Sequence, residues 1–365
     1  MCDQVFPSKP ARKTKRVRIG VDVMGGDYAP DAILTGCLNA VDLLSSEDRL
    51  VLIGDEEVIR DEIEERGLSA DPRIEIEPTT EVIGMDETPV TAIRSKPNSS
   101  IVRMGQLGGR RGGDKRCDVV ISAGNTGACV ASAQMSMRRL PGVHRPGIAV
   151  VMPTFFGPIA VCDVGANPEP KPVHLHQYGH MAAIYMKQVM GVENPRVALL
   201  SIGGEEGKGN FNVRECAKLM KADKKLNYVG YIEGRDIFNH GAEVIVTEGF
   251  TGNVVLKLAE GLASGLFKTI GQTIFEIDPE LAMKFEPVVK SIYKKHDYHE
   301  FGGAPLLGAN GICMICHGSS EARTIEAAIR TSRQFAQHDV NASIVEAIAG
   351  TDQSRQPQRD KEESA

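Results

Sequence analysis

The chain has 365 residues, 42% of them hydrophobic and 25% charged, no tryptophan, and a formal net charge of −6. That length supports a sizeable core, and the acidic balance argues against nucleic acid, whose phosphates call for a basic face. No apolar run reaches the roughly 18 residues that span a bilayer, and eight scattered cysteines read as reduced thiols of the cytoplasm, not a disulfide framework.

The first stretch carries Lys9, Arg12, Lys13, Lys15, Arg16 and Arg18 and lacks the apolar segment of an export signal. Residues 1–16 are expected to be a disordered basic tail, and residues 17–350 one α/β domain. "VRIGVDVMGGDYAPDAILTGCLNAV" then reads as strand, Gly-Gly-Asp loop and helix, with Pro30 suited to the first turn. "RLVLIGDEEVIRDEIEE" repeats the pattern. "QLGGRRGGDKR" reads as a flexible loop, since a single Arg-Gly-Gly segment in an acidic chain is weak support for RNA binding. "CDVVISAGNTGACVASA" is the third unit, with Asn125 or Thr126 as the expected N-cap. "GIAVVMPT" and "GPIAVCDVG" are separated only by Phe155 and Phe156, which predicts a hairpin and so a mixed sheet.

"DVGANPEPKPVHLHQYGH" sets Asp163, Asn167 and Lys171 in a turn-rich loop, then His174, His176 and His180 on a helix. The histidines are expected on the helix surface or at an interface, with no metal. "RVALLSIGGEEGKGN" resembles a phosphate-binding P-loop, but one residue is missing and Gly209 stands where Ser or Thr is required. "AEVIVTEGFTGNVVLKLAEGLASG" echoes the third unit, and its Val255, Leu258, Leu262, Leu266 and Ile270 make one apolar helix face. That face suits core or dimer packing, or alternatively a membrane surface or carrier. In "NGICMICHGSSEARTIEAAIR" a Cys-x-x-Cys-His run ends in His317, but without export or a second ligand pair it reads as a buried strand. Ser319 or Ser320 is the expected cap of the following helix. Residues 351–365 carry no hydrophobic pattern and are expected to be a disordered tail.

Repeated strand–loop–helix units predict a three-layer α/β/α fold around a mixed, mostly parallel sheet. Ligands of such sheets bind beyond the carboxyl ends of the strands, and the Gly-rich loops are expected to converge on one rim there. Each leads into a helix N-terminus, where free N–H groups favour an anion. No Gly-x-Ser-x-Gly elbow is present, and no Gly-x-Gly-x-x-Gly follows the first strand.

Taken in order, "VDVMGGDYAP", "VISAGNTGA", "DVGAN…KP.HL", "IEGRDIF", "EGFTGNVVLK" and "GGAPLLGANG…HGSS" resemble the bacterial phosphate acyltransferases of phospholipid synthesis. The resemblance spans nearly all of the chain outside its tails. It implies a fold similar to isopropylmalate dehydrogenases and phosphate acetyltransferases, a homodimer, and a cytoplasmic enzyme held peripherally at the membrane. The implied reaction moves an acyl group from acyl-[acyl carrier protein] to inorganic phosphate, and the acyl phosphate then serves a membrane glycerol-3-phosphate acyltransferase. No cofactor is implied. The run Ser201–Asn210 departs from the family pattern, which leaves a direct role for its side chains open.

Phosphate attack needs anion donors and an oxyanion site, not a nucleophilic side chain. Gly124–Gly127 and Gly249–Asn253 are therefore expected to form the site with Lys171 and Asn167. Lys171 would balance phosphate charge, with Asn125, Thr126 and Asn253 as donors. Gly124, Gly127, Gly249, Thr251, Gly252 and Lys208 are further binding candidates, and His317 would orient the leaving thiol. The alternatives are a phosphate acetyltransferase acting on a coenzyme A thioester, a dehydrogenase of similar fold, and a non-catalytic phosphoryl-binding scaffold.

Overall fold

A computed structural model describes residues 16–154, 156–295 and 301–352. The tail before residue 16, the one after residue 352, and Phe155 in the hairpin lie outside the described residues.

The strands are β1 (Arg18–Asp22), β2 (Arg49–Gly54), β3 (Ile74–Pro78), β4 (Val119–Ser122), β5 (Gly147–Thr154), β6 (Gly157–Cys162), β7 (Val197–Leu200), β8 (Tyr228–Ile232), β9 (Val244–Val246), β10 (Ala304–Leu307) and β11 (Ile312–Ile315). They form one sheet in the order β3-β2-β1-β4-β11-β10-β5-β6-β9-β7-β8. Its strands are short and rich in Val, Ile and Leu because both faces are covered. In β2, Leu50 and Leu52 enter one core while Val51 and Ile53 enter the other, as the two-residue period of a strand requires.

The helices are α1 (Asp31–Asn39), α2 (Glu56–Glu65), α3 (Pro89–Ser95), α4 (Ser100–Gly108), α5 (Thr126–Ser136), α6 (Pro172–Gln188), α7 (Phe211–Ala222), α8 (Gly249–Ile277), α9 (Pro279–Lys295), α10 (Ala322–Gln337) and α11 (Val340–Asp352). Ile33 of α1, Ile59 of α2, Leu175 of α6, Cys216 of α7, Ile325 of α10 and Ile344 of α11 pack into one core. Ala92 of α3, Ile101 of α4 and Ala128 of α5 pack into the other, joined by Val255 and Leu256 of α8. The layers are thus α/β/α. Gln106–Gly108 close α4 and Arg110–Lys115 form a 3-10 turn, so the expected flexible loop is ordered structure.

Strand direction differs from the expected single rim. β10 is antiparallel to both β11 and β5, and β5 is antiparallel to β6. The parallel group β3, β2, β1, β4 and β11 therefore runs opposite to the parallel group β6, β9, β7 and β8. The loops after β1, β4 and β11 leave one edge, and those after β6, β7 and β9 leave the other. They meet in the core between, where Val164 of the loop after β6 and Val255 and Leu256 of α8 pack with Ala128 of α5.

Two local expectations also change. α10 is headed by Glu321 with no side-chain cap, so neither Ser319 nor Ser320 caps it. Leu258, Leu262 and Leu266 are 67%, 68% and 56% exposed, so beyond Val255 the apolar stripe of α8 leaves this chain's core.

Gly252 packs the start of α8 against the loop after β6: a Cβ there would stand 2.0 Å from the Asp163 carbonyl oxygen. Gly252→Ala must push the helix off the sheet and is expected to cost about 3 kcal/mol, the upper range for overpacking. Urea unfolding measures this, and a loss below about 1 kcal/mol would show the contact to be slack.

Candidate active site

On the α5 side, the site begins with a buried carboxylate. Asp22, at the end of β1, accepts from the Ser122 hydroxyl at 2.7 Å and the Met24 N–H at 3.1 Å, and Ser122 Oγ in turn accepts from the Gly124 N–H at 3.0 Å. Burial pushes the Asp22 carboxyl up, and these donors pull it back. The two loops lie back to back, since a Cβ on Gly25 would meet the Gly124 Cα at 2.8 Å. Asn125 is the N-cap of α5, accepting from the Ala128 N–H at 3.0 Å. Its amide nitrogen donates to the carbonyls of Gly84, Met85 and Glu87 at 3.3, 3.0 and 3.0 Å. Those bonds occupy the Asn125 side chain in positioning the helix. The first-turn N–H groups of Thr126 and Gly127 are those that intrahelical bonding leaves over.

The opposite edge has the same plan with a different outcome. Asp163, after β6, accepts from the N–H groups of Ile148, Gly165, Ala166 and Asn167. Asn167 donates its amide to the Pro146 carbonyl at 2.6 Å and to Asp163 at 3.3 Å, and its own carbonyl accepts from the Gly249 N–H at 2.8 Å. Asn167 is thus bound into the loop. Gly249–Asn253, expected as a loop, is the first turn of α8. Its Phe250 and Thr251 N–H groups and the Thr251 hydroxyl already donate to the Glu248 carboxylate. A resident anion therefore fills this helix end.

A cavity of about 460 Å³ lies where the α5 turn meets the side of α8. Thr126, Gly127, Asn253 and His317 all line it, so four of the expected residues come together. Lys257 and Glu260 join them; neither stood out in the sequence, although Lys257 follows Asn253 by four residues and must share its helix face. Ile148, Val150, Val164, Leu256 and Ile315 supply an apolar wall. His317 Nδ1 accepts from the Ser319 N–H at 3.3 Å and lies 2.8 Å from its hydroxyl, which leaves the proton of the neutral ring on Nε2. Cys316 also lines the cavity, but burial pushes its thiol up to about 12 and makes it a poor nucleophile. Glu260 Oε1 is buried and has no hydrogen-bond partner among the described residues.

Other expected residues lie elsewhere. Thr251 lines a separate cavity of about 800 Å³ beyond β7 and β9. Gly124 packs its loop against Ile101 and Gly25, and Gly249 and Gly252 pack the start of α8 against the loop after β6. Lys208 is an exposed residue of the loop before α7, and Lys171 is the exposed N-cap residue of α6, its backbone N–H donating to His174 Nδ1 at 3.1 Å. His176 and His180, expected on the helix surface or at an interface, are 6% and 4% exposed within this chain.

Among the described residues lining the cavity there is no activated nucleophile, and the start of α5, with the unpaired N–H groups of a helix N-terminus, opens there. The family described as "Fatty acid synthesis protein" matches residues 17–343. A phosphate acyltransferase from Heliobacterium modesticaldum is 42% identical over 336 residues, covering 92% of this chain and 98% of that one. Another from Pelotomaculum thermopropionicum is 43% identical over 337 residues, covering 90% and 95%. The chain belongs to this family and is an acyltransferase. A phosphotransacetylase from Streptococcus pyogenes shares the fold, with a TM-score of 0.59 and 16% identity over 88% of this chain and 94% of that one. No helix of the described residues is long and apolar enough to cross a membrane.

His174 gives the α6 end of the Asp163 loop a pH dependence. Burial first, then His144, Arg145, Lys171 and Arg139, push it from 6.5 down to about 4. The unfolded chain takes up a proton that the folded chain refuses, so this stability is present above pH 6.5 and is lost as pH falls toward 4. Wild type should therefore lose more unfolding free energy than His174→Gln across that window in urea titrations. Parallel pH curves for the two proteins would refute it.

Proposed function

We propose that the protein transfers a long-chain acyl group from acyl-[acyl carrier protein] to inorganic phosphate, giving acyl phosphate for phosphatidic acid synthesis. The observation that carries this reading is the single cavity joining the open first turn of α5 to Lys257, Asn253 and His317 against an apolar wall. Phosphate rests on the Thr126 and Gly127 N–H groups with Lys257 balancing its charge. Its second ionisation, near pH 6 as for a phosphoester, supplies a dianion without a general base. A phosphate oxygen attacks the thioester carbonyl, and the oxyanion that forms accepts from Asn253 and the His317 Nε2–H. The C–S bond then breaks, its electron pair leaving on a sulfur whose thiol pKa is about 8.5. Glu260 Oε1, without a donor among the described residues, accepts from an amide N–H of the phosphopantetheine arm. The apolar wall takes the acyl chain.

The exposed Leu258, Leu262 and Leu266 stripe pairs with a second copy, and the dimer works peripherally at the membrane, where the acyltransferase of glycerol-3-phosphate takes up the product. Leu262→Glu should shift sedimentation toward the monomer; a sedimentation coefficient equal to wild type at micromolar concentration would contradict the pairing.

Palmitoyl carrier protein and phosphate should yield free thiol and acyl phosphate in equal amounts. Phosphate-independent thiol release would end the proposal, and faster turnover of acetyl-coenzyme A would transfer it to a short-chain donor. His317→Ala should lower kcat about 10²-fold, as loss of one oxyanion donor does. Lys257→Ala should lower kcat/KM for phosphate roughly 10- to 100-fold, the range of a hydrogen bond to a charged group. Lys171→Ala, outside the cavity, should keep wild-type kinetics.

A further inference from the structure

Away from the cavity, α6 and the end of α7 bring three metal-ligating side chains to one point. His176 and His180 stand one helical turn apart, so both rings leave the same face of α6. His176 Nε2 lies 2.9 Å and His180 Nε2 2.7 Å from the same oxygen, Oδ2 of Asp223, the residue that ends α7. The three ligand atoms all lie within 4.8 Å of one another. Both histidines are buried, and the Asp223 side chain is 13% exposed. The second Asp223 oxygen accepts from the Lys225 N–H at 2.9 Å, which holds the carboxylate in its orientation.

We propose that His176, His180 and Asp223 form a structural site for a divalent ion of the zinc class, which ties α6 to the end of α7. Two imidazoles and one carboxylate suit zinc and its neighbours better than magnesium or calcium, which prefer all-oxygen shells. Zinc bonds of about 2.0–2.1 Å place tetrahedral ligand atoms roughly 3.3 Å apart. The two contacts here open by about 0.5 Å to admit the ion at that bond length. Each ring would offer the Nε2 lone pair to the metal, as imidazole ligands do once that nitrogen carries no proton. The exposed side of Asp223 leaves the fourth position to water.

Tag-free protein, stripped with a chelator, is titrated with Zn²⁺ by calorimetry and with Co²⁺ by visible absorption. The proposal expects one ion per chain, the strong visible bands of four-coordinate Co²⁺, and a melting temperature that rises with Zn²⁺. Asp223→Asn keeps an oxygen that accepts from both rings, so its metal-free melting temperature should stay close to wild type while Zn²⁺ affinity falls at least tenfold. His180→Gln provides the same comparison from the other helix. Failure of wild type to bind stoichiometric Zn²⁺, or equal affinity in wild type and either variant, overturns the site and leaves a hydrogen-bonded triad. These readouts do not involve acyl transfer, so they stand or fall separately from the proposed reaction.

Discussion

The reversal of strand direction around β10 and β5 is the constraint from which the rest of the architecture follows. Two antiparallel pairings on either side of β10, and a third between β5 and β6, turn one parallel group against the other. Each group keeps the loop chemistry of an open α/β sheet, and one cavity gathers residues from both: Thr126 and His317 follow β4 and β11, while Val164 and Gly165 follow β6. The first turns of α8 complete its lining with Asn253, Leu256, Lys257 and Glu260, so the cavity lies where the flank of this helix meets the start of α5.

The two edges are built on the same device and differ in what they leave free. Asp22 and Asp163 are both buried at the ends of strands, and each organises its loop by accepting several donors. A polar group taken out of water is tolerated only when its hydrogen bonds are so satisfied. At the α5 edge this rigid base supports a helix whose first N–H groups open onto the cavity. At the α8 edge Glu248 already neutralises the helix start. The electrostatics therefore distinguish two helix ends that the sequence makes look alike.

That distinction marks how far the residues could be read in advance. The strand–loop–helix units, the β5–β6 hairpin and the Asn125 cap were legible because each depends on neighbours within a few positions. β10 was not, since "GGAPLLGANG" shows a strand of only four residues before the "ICMIC" run, and with it the direction of half the sheet was lost. Asn253 and His317 could be singled out as candidates from residue type beside a glycine-rich junction, and the fold brings both to one cavity. Lys257 was hidden among the charges expected on an amphipathic helix, and only the four-residue step from Asn253 pointed inward. Lys171 and Asn167 were chosen from residue type alone; the fold binds the Asn167 amide to Pro146 and Asp163 and leaves Lys171 exposed at the start of α6. The burial of His176 and His180 depends on Asp223, more than forty positions away, and no local pattern reveals it.

α8 serves three masters along one rigid rod. Its first turn is wedged against Asp163 with no room for a methyl group, its inner flank carries Asn253, Lys257 and Glu260 into the cavity, and its outer flank offers Leu258, Leu262 and Leu266. Leu258 follows Lys257 directly, so a residue turned outward and a residue lining the cavity are neighbours on one stretch of backbone. The outer face and the cavity lining of this helix therefore share one anchor, the close approach of Gly252 to the Asp163 carbonyl.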